Sequence, residues 1–240
     1  MKKFIALLLC LVIVVFLLFS LSGCNQKSAA FSFDPQKYDI VGNDCGGNRR
    51  IPSTIQDMED WARLTIDGQP NTYGAIIICT VSGDSINRII EPQASERKAG
   101  VVYGLNHVLT PVKIEKLIYR GDDTSIEEGK EYYLKENYFY ITKESYDYYK
   151  QFGDNSIYAK EYYPMTRGNT YLVYVTQKSN NIYNYQGETI LSTIGMQESV
   201  YCLGDISNIK SMNITEEQNL WYYRLWDEAN LLYGHHSASK

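Results

Sequence analysis

Histidine is scarce in this chain: three residues among 240, namely His107, His235 and His236. A Ser/His/Asp or Cys/His hydrolase would have to use His107, since the other two fall in a C-terminal tail. No serine or cysteine lies in a nucleophile-elbow sequence. Cysteine is also sparse, and no two cysteines have the close spacing that a zinc site needs. Basic blocks are missing altogether. The Gly121 to Lys130 stretch is no phosphate loop, because seven residues separate its glycines instead of four and Glu131 stands where a serine or threonine belongs. Around Asp147, Asp154 and Asn155 the EF-hand calcium pattern is absent. These gaps leave a chain with no expected cofactor, no expected metal site and no catalytic set, so that a non-enzymatic role is favoured.

What is present begins at the N-terminus. Lys2 and Lys3 precede Phe4 to Leu21, eighteen residues without a charge, after which Ser22-Gly23-Cys24 leads into the polar Asn25-Gln26-Lys27-Ser28. A positive start keeps to the cytoplasmic side while an apolar run enters the bilayer. Ser22 and Gly23 leave the backbone open to a peptidase, and the Cys24 thiol is a nucleophile able to carry a lipid. Leu21-Ser22-Gly23-Cys24 resembles the lipobox of bacterial lipoprotein precursors, which signal peptidase II cuts just before the lipidated cysteine. The resemblance implies cleavage between Gly23 and Cys24, a mature chain starting at Cys24, and a lipid anchor on the extracytoplasmic face of the cell membrane. The alternative is an uncleaved signal anchor, since eighteen apolar residues fall just within the range of about 17–25 that spans a bilayer. Both place the bulk of the chain outside the cytoplasm.

Loss of residues 1–23 removes two lysines and no acid, leaving 217 residues with 21 basic and 28 acidic side chains, a net charge of −7. Such a balance argues against nucleic acid as a partner and against electrostatic docking on anionic lipid. The domain organisation read from the sequence is a signal peptide over 1–23, a flexible lipid-anchored tether over 24–50, and a single extracytoplasmic domain over 51–240 with a C-terminal helix at 215–233.

Within that domain the pattern is mainly β. Ser53-Thr54-Ile55-Gln56 fits a capping box that opens a first helix with a stripe of Ile55, Met58, Ala62 and Trp61, closed by Gly68. Gly74 to Val81 is a short β-branched run suited to a buried central strand. Strands are expected from His107 to Tyr119, over Glu131 to Thr142 with a break near Glu136-Asn137, over Thr170 to Thr176, Thr189 to Ile194, and Ser199 to Leu203. Thr215-Glu216-Glu217-Gln218 opens the last helix, with Leu220, Tyr223, Ala229 and Leu232 at helical spacing and Gly234 as its stop. The order predicts a β-rich α+β fold: a small antiparallel barrel or strongly bent sheet with an N-terminal and a C-terminal helix packed on it. Thr110 to Leu203, with a basic-Gly-Asp turn at Arg120-Gly121-Asp122 and a Gly-led aromatic strand at Gly168 to Val175, resembles oligonucleotide/oligosaccharide-binding-like (OB-like) barrels of Gram-positive surface proteins. That resemblance carries no catalytic residue across.

Three further features remain. All 22 tyrosines follow the signal segment, many of them doubled. They suit either an aromatic platform for sugars or a protein partner, or the amphipathic face of strands, and the second is favoured. Of the cysteines left after Cys10 and Cys24, Cys45 sits in a loop while Cys79 and Cys202 lie in apolar strands, so one disulfide and two buried thiols are both allowed. The acid pairs Asp122-Asp123, Glu127-Glu128 and Glu216-Glu217 occupy turn or cap positions, where solvated acids are ordinary. The function expected is that of an envelope lipoprotein that binds the bilayer through Cys24 and an envelope protein or extracellular ligand through its β domain. The alternatives are an extracellular hydrolase acting on wall glycan or peptide, and the solute receptor of a transporter.

Overall fold

The computed structural model describes residues 52–88, 107–136, 138–143, 164–177, 190–195, 199–204 and 216–236, and the backbone strands at 38–43 and 157–159. The side chains of 216–221 are outside that description, as are Cys24, Gly23, Cys45 and the loop at 95–98.

The β-branched run of β2 (Gly74–Val81) forms the centre of the barrel, with all but one of its residues buried. It is flanked on both sides by antiparallel partners, β4 (His107–Arg120) and β8 (Thr170–Thr176). β4 is long enough to serve three neighbours in turn: β3 (Ile86–Arg88), β5 (Glu131–Glu136) and then β2. Register shifts at Ile76/Ile77 and Ile78/Cys79 let the β2–β4 ribbon coil, as bulges do by adding local twist. β9 (Ile190–Thr193) then closes the ring, pairing with β5 in parallel and with β8 antiparallel. The result is a closed five-stranded barrel in the order β8-β2-β4-β5-β9, with β10 (Val200–Leu203) added to β8 and β3 added to β4. The barrel therefore begins at Gly74, upstream of the Thr110 expected from sequence, and one of its seams is parallel.

Two strands of the predicted 131–142 stretch separate into different sheets. β6 (Tyr138–Thr142) leaves the barrel one residue after β5 and pairs with β1 (Tyr38–Asn43), which also pairs with β7 (Ile157–Ala159). β1 lies inside the segment assigned to the flexible tether, so those six residues are strand, not tether. The two sheets meet where Asn87 of β3 treats β6 as a neighbouring strand. Its side chain donates to the Tyr140 carbonyl at 2.8 Å and accepts from the Tyr140 amide at 2.9 Å.

Helix α1 (Ile55–Arg63) is capped by Thr54, not Ser53: the Asp57 amide donates to Thr54 Oγ1 at 3.2 Å, and Asp57 Oδ2 accepts from the Thr54 amide at 3.0 Å. The box is one residue later than the sequence suggests because Asp57 at the third helical position supplies the returning carboxylate. Ile55, Met58 and Ala62 are buried against the barrel, with Trp61 partly so. The helix ends at Arg63, and Gly68, with φ +73°, belongs to the turn that follows. Helix α2 (Glu216–Tyr233) packs on β10 and buries Tyr222, Leu225 and Ala229. Of the apolar face expected from sequence, Ala229 is buried as expected and Leu220 lies outside the described side chains. Tyr223 and Leu232 are exposed, at 39% and 47%, because the inward face is set by what β10 requires of it.

Among the described residues no helix is long and apolar enough to cross a membrane.

Candidate functional site

Strand alternation assigns the barrel interior. Residues paired across strands share a face, so Cys79, Ile114 and Tyr171 lie together, as do Thr110, Leu134 and Leu191. Glu136 has the parity of Leu134 and pairs with Val108, which turns its carboxylate inward, where the residue has no exposed surface. There Thr110 Oγ1 donates to Glu136 Oε1 at 2.5 Å, and Thr110 in turn is 2.8 Å from the Ser85 hydroxyl. A hydroxyl donating to a buried carboxylate is among the stronger protein hydrogen bonds, and this chain gives one end of the barrel its polar plug. Sequence reasoning missed it, although the parity of Glu136 with Leu134 was the signal.

That carboxylate adds to the effect of burial on two neighbours. Burial, then the Glu136 charge and that of Glu115, push the Cys79 thiol far up from its ordinary range. Burial also raises the Tyr140 phenol, with Glu136 adding to the effect and a Tyr138 hydrogen bond opposing it. A thiol kept protonated is no nucleophile. Cys79 and Cys202 are both buried, and neither is in a disulfide.

A second cluster lies on the outer side of the barrel, where α1 and α2 cover it. The Tyr233 hydroxyl donates to Glu59 Oε1 at 2.5 Å, across 174 residues of chain, and Arg63 pairs with the same carboxylate at 3.4 Å. The Arg63 guanidinium also rests 4.6 Å from the centre of the Tyr119 ring, a cation–π arrangement. Burial, with Glu59 as hydrogen-bond partner and neighbouring charge, pushes the Tyr233 phenol up to about 12. Tyr174, on β8, is buried, and its hydroxyl has no hydrogen-bond partner among the described residues. Tyr201 stacks on Tyr222 at 5.6 Å and meets Tyr174 edge-on at 6.3 Å.

Six tyrosines (Tyr138, Tyr140, Tyr171, Tyr174, Tyr201 and Tyr222) are thus core residues, more deeply placed than amphipathic strand positions require. The hydroxyls of Tyr171 and Tyr222 serve internal bonds: Tyr171 accepts from the Thr166 amide at 2.7 Å and Tyr222 donates to the Val200 carbonyl at 3.0 Å.

The other residues singled out from sequence scatter over the structure. His107 is buried at the start of β4, paired in register with Arg88. His235 and His236 follow α2, where His236 Nε2 lies 3.3 Å from Lys116 Nζ. Burial, His235 and Lys116 together lower the His236 pKa. Arg120-Gly121-Asp122 is a structural turn. Gly121 is buried, its amide donates to the Gly74 carbonyl at 2.9 Å, and a Cβ there would fall 2.4 Å from the Thr72 carbonyl oxygen. Asp122 and Asp123 are exposed, and Glu127 is exposed beside Lys130 at 2.7 Å. Glu128 accepts from the Leu117 amide at 2.7 Å, binding its turn back onto β4. Glu127 and Glu128 brace their turn, and Asp122 and Asp123 are exposed at theirs. No group of three or more His, Cys, Asp or Glu residues is placed to hold a metal among the described residues.

Neither a protein-family model nor a curated protein sequence matches this chain.

Proposed function

We propose that this protein is a lipid-anchored lipoprotein on the extracytoplasmic face of the cell membrane, and that its barrel is a non-enzymatic binding module of the cell envelope. The observation that carries this reading is Leu21-Ser22-Gly23-Cys24 at the end of eighteen uncharged residues behind Lys2-Lys3. Acyl chains on Cys24, each buried CH₂ contributing about 0.8 kcal/mol, hold such a protein at the bilayer once two or more are present.

The strand order supports the binding half of the proposal. Numbered within the barrel, β2, β4, β5, β8 and β9 are strands one to five. The ring then runs one-two-three-five-four, with strands three and five parallel. The order is similar to that of OB-like barrels, which bind oligosaccharides and oligonucleotides on the face of strands two and three, and that likeness supports a binding role. Here that face is β4–β5, where Lys113 pairs with Glu131 and Pro111 with Tyr133. A ring beside mixed charges suits a glycan or a protein surface, and the net charge of −5, or −7 without residues 1–23, disfavours nucleic acid. The hydrolase alternative draws no support from the acid pairs at Asp122-Asp123 and Glu127-Glu128, which are exposed at turns. The solute-receptor alternative calls for two lobes of alternating strands and helices, and the described residues build a barrel instead.

The test is labelling with radioactive palmitate in intact bacteria followed by fractionation. The wild-type chain should take up label and sediment with membranes, while Cys24→Ala should remain unlabelled at precursor mass. An equally labelled Cys24→Ala variant refutes the proposal.

A further inference from the structure

Tyr174 has no exposed surface, and no hydrogen-bond partner for its hydroxyl lies among the described residues. A buried hydroxyl in that state has lost its hydration with nothing in return, and such groups in a native structure call for a reason. Strand pairing gives its place. Tyr174 pairs with Ile76, and Ile76 with Tyr119, so the three form one row across β8, β2 and β4, on the face opposite to Cys79 and Tyr171. Helix α1 packs on β2 and β8. Its Arg63 lies 4.6 Å from the centre of the Tyr119 ring, at one end of the row. Glu59 stands one turn back along the helix, about 6 Å away. Burial raises the Tyr174 phenol most, and the Glu59 charge comes next, ahead of Tyr233 and Glu228, with Arg63 opposing. The charge that Tyr174 feels most is thus the carboxylate that Tyr233 already holds.

Glu59 Oε1 accepts from Tyr233 Oη at 2.5 Å, and Oε2 pairs with Arg63 at 3.4 Å. The Glu59 side chain is only 13% exposed, so departure of Tyr233 would strand a mostly buried carboxylate close to an unused hydroxyl. We propose that Tyr174 is the reserve donor for Glu59, and that the two tyrosines form an exchange latch between α1 and α2. Closed, Tyr233 fastens the end of α2 to Glu59 and the Tyr174 hydroxyl is idle. Open, Tyr233 turns into solvent, Tyr174 donates to Glu59 in its place, and the last turn of α2 is free while α1 stays seated. The two donors differ as such a latch requires. Tyr233 is partly buried at a helix end, whereas Tyr174 is fixed within β8 between β2 and β10. Unlatching then exchanges one hydrogen bond to a carboxylate for another instead of losing it. This inference does not rest on the lipid anchor.

The test is a double-mutant cycle on the full chain in non-ionic detergent, with urea unfolding read by tryptophan fluorescence. Tyr233→Phe should raise the unfolding constant only slightly in the wild-type background. In the Tyr174→Phe background it should raise that constant at least about tenfold more, because a hydrogen bond to a charged group is worth about that factor or above. Proton NMR gives the direct reading: in Tyr233→Phe the Tyr174 hydroxyl proton should move downfield and exchange more slowly than in wild type. Additive effects, which water in the place of the Tyr233 hydroxyl would produce, overturn the proposal, and so does an unmoved hydroxyl proton. Should the double variant fail to fold, the hydroxyl signal of Tyr233→Phe decides alone.

Discussion

Gly74→Ala adds a single methyl group at the point where α1 meets the barrel. Gly74 opens β2 directly beneath the last turn of α1, and a Cβ there would lie 1.9 Å from the Ala62 carbonyl oxygen and 2.7 Å from Asn71 Nδ2. Ordinary contact begins at 3.4 Å, so the helix end would have to retreat by 1.5 Å. The obstructing atom is backbone and cannot swing aside. Retreat would lift Ala62, and with it Met58 and Ile55, off the strands they cover. Gaps of 0.5–1 Å already forfeit about a quarter to a half of a dispersion well, and overpacking typically costs about 1–3 kcal/mol. The stiffer unfolded chain returns about 0.4–1 kcal/mol, leaving a net loss of about 1–2 kcal/mol, or roughly 2–8 °C in Tm for a domain of this size. Gly68→Ala is the matched control. It has open space but φ +73°, so it carries only the left-handed backbone cost of about 1–2 kcal/mol. Urea unfolding of both variants, read by tryptophan fluorescence, measures the difference. A Gly74→Ala variant as stable as wild type would refute the close seating of α1 on β2.

Three other outcomes follow from the geometry. Tyr233 holds its proton up to about 12 in the folded chain, above the ordinary phenol value of about 10. Its contribution to stability is therefore complete below pH about 10 and is lost as pH climbs through about 12, and subtracting the stability–pH curve of Tyr233→Phe from that of wild type should isolate this fall; identical curves would contradict it. Cys79 and Cys202 are buried and should resist alkylation by iodoacetamide in the native chain, reacting only after denaturation; rapid native labelling of Cys79 would show the barrel interior to be open. Asn87→Ala leaves two backbone groups of Tyr140 without their side-chain partner, at a cost of about 1–3 kcal/mol, and should speed exchange of the Tyr140 amide while the β2 amides stay protected.

The legible part of the fold is the part written in local pattern. Gly74–Val81 and Thr170–Thr176 are strands at the bounds their β-branched runs suggest, and the last helix starts at Glu216 and ends at Tyr233. The break near Glu136-Asn137 shows as a turning point in the sequence, yet nothing local says that the chain there changes sheets. β1 was illegible for a related reason. Tyr38-Asp39-Ile40-Val41-Gly42-Asn43 is short and half polar, and its strand character comes from β6 and β7, about a hundred residues away. The face of α2 went astray because hydrophobic spacing alone favours Tyr223 and Leu232, whereas Tyr222, Trp226 and Asn230 are chosen by hydrogen bonds to β10. Glu136 illustrates the same limit at the level of the site: its parity was readable, but only closure of the barrel makes that side the interior.

Intact-mass and peptide mass spectrometry of the protein extracted from its native membrane bears most directly on the central claim. The expected chain begins at Cys24, its thiol carrying a diacylglycerol. A chain that still holds residues 1–23 with an unmodified Cys24 would contradict it.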